Sequence, residues 1–230
     1  LGRAADAQKR IDANKQFLDE GQRAELLKPL VGAWLRSGNL DQARIAAANA
    51  DLSDDDETAG WLALYSGDLA TARKRLVRVD ARRGSQIEVL AVLSRTKAQS
   101  SPALGAVFLT LARRDTSLAV KQFLTLADSM SDAAPALLAS AARLEDSRDK
   151  PEAYARGMII WKRIRNDFPK SAEAPEASFA WALSLARAGD VKGAIVQMES
   201  MLVDFSDSAM APQARRELIR LRGLVPPGDA

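Results

Sequence analysis

Apolar positions recur along most of the chain at helical spacing, and no stretch sustains the two-residue alternation of a half-buried strand. Residues 3–19 carry Ala4, Ala7, Ile11 and Leu18 on one stripe, which predicts an amphipathic helix ending near Gly21. Residues 22–36 predict a second helix, with Leu27, Leu30, Val31 and Trp34 on its apolar face, broken by Ser37-Gly38-Asn39. Leu40-Asp41-Gln42-Ala43 opens a third, with Ala43, Ala47 and Ala50 facing inward. Residues 84–95 have a helical pattern and lack an evident partner helix, and residues 96–102, with Ser100-Ser101-Pro102, read as a linker leading into a helix start. The last helix, about residues 208–222, shows Arg215, Arg216, Glu217, Arg220 and Arg222 on its polar side and reads as a solubilising cap. The expected organisation is therefore helical repeats over 1–95, a register break over 96–102, further repeats over 103–222 and a frayed tail over 223–230.

Two internal repetitions sharpen this picture. Residues 168–177 read F-P-K-S-A-E-A-P-E-A and residues 205–214 read F-S-D-S-A-M-A-P-Q-A, 37 residues apart. A supersecondary unit returning at such a period predicts a helical-repeat array. A second pattern, G-x-L-x-x-A, occurs as Gly38-Asn39-Leu40 through Ala43 and as Gly67-Asp68-Leu69 through Ala72. It returns as Gly189-Asp190-Val191 through Ala194, and in degraded form as Arg114-Asp115 through Ala119. Gly suits the tight turn, Asp or Asn caps the following helix, and the small Ala lets two helices approach closely. The spacing from Ala43 to Ala72 is 29 residues and from Ala119 to Ala153 is 34, but from Ala72 to Ala119 it is 47, which places the break between them.

These patterns resemble tetratricopeptide repeats over roughly residues 22–82 and 102–222. The doubled F-[PS]-x-S-A-x-A-P-x-A block is similar to periplasmic members of that family, of the kind that includes the Tol-Pal accessory protein and the outer-membrane assembly lipoprotein. The resemblance implies an all-α solenoid with a right-handed superhelix of about 12–13 helices. It also implies a non-enzymatic scaffold holding a partner protein or extended peptide in a concave groove lined by first helices. In that register Arg36, Trp61, Tyr65, Glu176, Phe179 and Arg187 point into the groove, while Trp181 takes a packing position. For Trp61 and Tyr65, packing is an equal alternative. Periplasmic or outer-membrane-associated localisation follows from the same resemblance. The alternatives are a cytoplasmic helical-repeat adaptor, or the non-catalytic superhelical part of a cell-wall lytic enzyme.

Composition narrows the chemistry. Cysteine and histidine are absent, which removes thiol nucleophiles, imidazole acid–base relays and the usual structural zinc sites. No metal, cofactor or catalytic residue is expected. Lack of cysteine suits an oxidising compartment and is also found in the cytosol. The chain begins at Leu1 without a signal-like segment, so any export signal or lipid anchor is expected to have been removed. The 33 basic and 30 acidic residues alternate, as on solvated helix faces. Arg73, Lys74, Arg75, Arg78, Arg82 and Arg83 form a basic run, but no aromatic residues interleave for base stacking, so a solvated face is expected rather than a nucleic-acid site. Asp54-Asp55-Asp56-Glu57 reads as a helix start rather than a cation loop. The adjacent acids Glu145 and Asp146 read as surface residues.

Overall fold

A computed structural model describes residues 2–79 and 84–224. The protein is all-α: among the described residues there are thirteen α-helices and one 3₁₀ turn, with no strand. The chain divides into two compact units, Leu1–Gln122 and Phe123–Ala230. Arg82, Arg83 and residues 225–230 of the expected tail lie outside the described residues.

The first unit begins with α1 (Gly2–Ala13), a 3₁₀ turn (Lys15–Phe17) and α2 (Glu20–Ser37). Its first helix is shorter than its apolar stripe suggests. A capping box starts α2 at Asp19: the Asp19 carboxylate accepts from the Gln22 backbone N–H at 2.7 Å, and the Gln22 side chain accepts from the Asp19 N–H at 3.2 Å. Gly21 therefore lies inside the first turn of α2 and does not end α1. The unit continues with α3 (Leu40–Asn49), α4 (Asp56–Ser66), α5 (Leu69–Leu76), α6 (Gly84–Arg95) and α7 (Pro102–Ala112); α8 (Thr116–Ser129) contains the boundary between the units.

The turns between paired helices repeat atom by atom. At Gly38, Gly67, Arg114 and Gly189 the backbone is left-handed, with φ of 70°, 81°, 63° and 87°. Each of these residues donates its N–H to the carbonyl three residues back, and the next residue donates to the one five back, the paired bonds of a Schellman ending. The residue after each turn, Asn39, Asp68, Asp115 or Asp190, then accepts a bond from the backbone N–H three residues on, at 2.8–3.2 Å, and so caps the next helix. Ala43, Ala72, Ala119 and Ala194, four residues past each cap, are all fully buried. Helix packing is thus repeat-like, and the sequence pattern G-x-L-x-x-A is the trace of this turn.

Within the first unit, α2, α4 and α7 lie against one another, while α3 packs on α2 and α5 on α4. The approach of α7 to α4 is very close: a Cβ at Gly105 would stand 2.7 Å from both the Leu64 carbonyl oxygen and the Gly67 nitrogen. Helix α6, which has no evident partner in the sequence, packs on α5. Its buried Gln86 donates to the Leu76 carbonyl at 2.8 Å. The Arg73 guanidinium meets its C-terminal end, donating to the carbonyls of Leu93 at 2.9 Å and Thr96 at 3.0 Å. Residues 96–102, read from the sequence as a linker, run beside the α4–α5 turn: Ala70 donates to Gln99 and Ser101 to Gly67, and Asp68 and Ser100 form an isolated antiparallel bridge.

In the second unit, α9 (Ala134–Asp146), α10 (Pro151–Asp167), α11 (Ala174–Arg187), α12 (Val191–Asp204) and α13 (Ala211–Arg222) pack each on the next. The doubled block forms matching junctions. Phe168 and Phe205 end their helices with φ near −130°, and Ser171 and Ser208 each donate back to that Phe. Ala174 and Ala211 close on the Ser carbonyls, and Pro175 and Pro212 sit in the first turn of the next helix. Trp161, 1% exposed, is the largest fully buried side chain, whereas Trp181, expected at a packing position, is half-buried with the Lys162 ammonium 5.5 Å over its ring. Glu145 and Asp146 are not surface residues. Glu145 is buried and held by Arg148 and Arg156, and Asp146 is half-buried, accepting from the Trp161 indole at 2.8 Å. The close fit of α10 against α9 encloses them.

Candidate partner-binding site

Three of the expected groove residues come together in the first unit. The row of α2, α4 and α7 leaves a recess of about 370 Å³, lined among others by Leu35 and Arg36 of α2, Trp61 and Tyr65 of α4, and Phe108 and Leu111 of α7. Trp61 and Tyr65 fall one helical turn apart, so their rings share a face; the centroids are 5.7 Å apart at a 39° tilt. Both also pack on the core cluster built around Leu27, Trp34 and Ala47, so the two rings are partly structural and partly open. Burial pushes the Tyr65 hydroxyl up to about 12, which keeps it protonated and a hydrogen-bond donor through the physiological range. Helix α6 adds Gln86, Glu88 and Val89 to the lining, a contribution that no repeat pattern in the sequence announces.

A larger recess of about 1230 Å³ borders the α2–α3 turn. It is lined by Arg3, Arg36, Arg44, Arg113 and Arg114, with Asp41 as its acidic residue, and shares Arg36 and Arg114 with the aromatic recess. Arg44 is engaged by Asp41 at 3.5 Å and by the Ser66 hydroxyl at 2.5 Å, and Arg113 donates to the Gly38 carbonyl at 2.9 Å. The sequence reading missed Arg113 and Arg114. Their signal is the Arg standing where the other turns have Gly.

The remaining three expected residues lie in the second unit and have different roles. Glu176 receives a two-pronged bond from Arg143, whose Nε donates to Oε1 at 2.7 Å and whose Nη2 donates to Oε2. Phe179 is buried at 5% exposure in the cluster with Met198, Met201 and Leu218, so its ring serves the core of α11–α13. Arg187 is exposed, with its guanidinium 4.5 Å over the Tyr154 ring. Asp146 lies near this group, and burial, with smaller contributions from Glu145 and Glu176, holds its carboxyl above the usual range against the opposing pull of Trp161 and Arg187.

Comparison with known proteins finds no family model, no curated protein and no solved structure that matches the chain. The site therefore rests on its own geometry.

Of the four described members of the basic run, Arg73 and Arg75 are engaged in the structure. Arg73 is bound to the end of α6. Arg75 meets Asp56 at 2.9 Å and Asp54 at 3.4 Å, while Asp55 caps α4 through the Thr58 N–H at 2.8 Å. Among the described residues no group of acids is arranged to hold a metal ion, and no helix is long and apolar enough to cross a membrane.

Proposed function

We propose that the chain is a tetratricopeptide-like helical-repeat solenoid with a right-handed superhelix, acting as a non-enzymatic protein-interaction scaffold. On this reading a partner protein or extended peptide lies against the first helices of the pairs. The observation that carries it is the grouping of Arg36, Trp61 and Tyr65 in one recess on the row α2, α4 and α7. Aromatic and Arg side chains in a concave, partly desolvated setting are the residues that concentrate binding energy at interfaces. The doubled junction and the absence of cysteine support placing the scaffold in the bacterial envelope, periplasmic or associated with the outer membrane.

Photo-cross-linking from the native cells tests it. A photoreactive residue at Arg36 or Tyr65 should capture one partner in stoichiometric yield, and the same group at exposed Ile45 of α3 or Val77 after α5 should not. Capture confined to Ile45 and Val77, or loss of the partner only when Arg75 and Arg78 are neutralised, would overturn the reading.

A further inference from the structure

Among the described residues, five turns end a helix with a left-handed residue and the same pair of backbone bonds, at Gly38, Asp51, Gly67, Arg114 and Gly189. In three of them the residue is Gly, which adopts that conformation without a Cβ clash, and in one it is Asp51, whose short polar side chain tolerates it; in the fifth it is Arg114, with φ of 63°. A strained backbone retained where an easy residue would serve points to a use for the side chain. Packing supplies none. Arg114 is exposed and, among the described residues, its side chain makes no hydrogen bond or ion pair. What distinguishes it is position, since with Arg36, equally exposed and unpaired, it lines both the aromatic and the basic recess.

We infer that Arg36 and Arg114 select an acidic extended peptide, one large apolar side chain of which fills the recess of Trp61, Tyr65 and Phe108 while Asp or Glu residues on one flank lie along the arginines. The inference rests on the partner-binding reading above and adds the chemistry of the partner. Charge gives it direction. The basic recess opposes five Arg to Asp41, and Asp41 is engaged by Arg44, which leaves Arg3, Arg36 and Arg114 without an acidic partner among the described residues. Like charges gathered in a concavity focus the field and draw an opposite charge in. On the aromatic recess Glu57 and Glu88 sit on the lining, so acids are disfavoured there and the acidic flank is directed toward Arg3.

Selection of randomised peptides displayed on phage against the full chain, followed by titration of the enriched peptides, tests the inference. The enriched sequences should join one large apolar residue to a run of Asp or Glu. Their affinity should fall about tenfold with Arg36→Gln or Arg114→Gly, and should weaken with added salt. Arg114→Gly restores the ordinary residue of the turn, so its melting temperature should equal or exceed that of the parent, which separates lost recognition from lost folding. Peptides that depend on Trp61 yet show no acidic bias, or that bind Arg114→Gly as well as the parent, would overturn the inference and leave the recess as a docking site. Enrichment of no peptide sensitive to Trp61→Ala or Tyr65→Phe would remove the partner-binding reading itself. An oligothymidylate competing more strongly than any acidic peptide, through the same two Arg, would show the selected anion to be nucleic acid and overturn the inference.

Discussion

Asp146 is the residue whose chemistry departs furthest from its place in the sequence. It follows Glu145 in a run that reads as solvated, yet α10 covers it. Its Oδ2 accepts from Trp161, while a Cβ on the facing Gly157 would stand 2.5 Å from Oδ1. Burial is the largest cause of its raised carboxyl value. A carboxyl that is more basic folded than unfolded binds protons more tightly in the folded state. Its contribution to stability is therefore fully present below the unfolded value near 4 and is lost as pH rises through the folded value. Asp146→Asn keeps an oxygen to accept from Trp161 and removes the charge. It should leave the protein as stable or more stable at pH 7 and flatten the decline from about pH 4 upward, as measured by urea unfolding across that range. A variant that loses stability at pH 7 while keeping its helical signal would show that the charge, held by Arg187, outweighs its burial.

At the level of elements, the four Schellman turns that lead into an Asp or Asn cap and the two Phe-to-Pro junctions were legible because each imposes residue types at fixed spacing. Gly or its substitute precedes Asp or Asn, and a small Ala follows where helices touch. The helical class and the buried Ala series follow from that spacing, whereas the grouping of Arg36, Trp61 and Tyr65 was expected only from the resemblance to tetratricopeptide repeats. Phe179 and Trp181 show what spacing leaves out. They lie two residues apart on α11, and which ring is buried depends on the rotation of α11 against α12 and α13, a tertiary quantity. Glu176 likewise could not be paired with Arg143 from sequence, since the two meet across helices. The place of α6 was equally hidden, because the side chain that fixes it, Arg73, reads as part of a basic run. Arg73 holds three carbonyls at the end of that helix, those of Leu93, Thr96 and Ala98. Arg73→Ala should cost about 2 kcal/mol, the scale of charge-assisted bonds in a partly buried setting, and should speed tryptic cleavage at Lys97. Arg73→Lys should recover little of this, because an ammonium cannot span diverging carbonyls as a planar guanidinium does. Equal stability of all three proteins in urea would show α6 to be held by packing alone.

Across the whole molecule, the two units are built on different orders of contact. In Phe123–Ala230 the helices α9 to α13 each pack on the next in the chain, so every interface can form as soon as two neighbours exist. In Leu1–Gln122 a close backbone approach joins α4 to α7 at Gly105, with α5 and α6 intervening in sequence. That contact places a kinetic step in the first unit that the second does not need. The chain must close a loop containing two helices before Gly105 can settle on Gly67, and the entropy of closure is lost before the contact stabilises anything. Amides of α10 to α12 should therefore gain protection earlier during refolding than those of α4 and α7, as followed by pulsed hydrogen exchange, and simultaneous protection would contradict this. During synthesis the order is reversed, since the slower unit leaves the ribosome first. The delay imposed by one glycine contact is then covered by the time taken to translate the faster half.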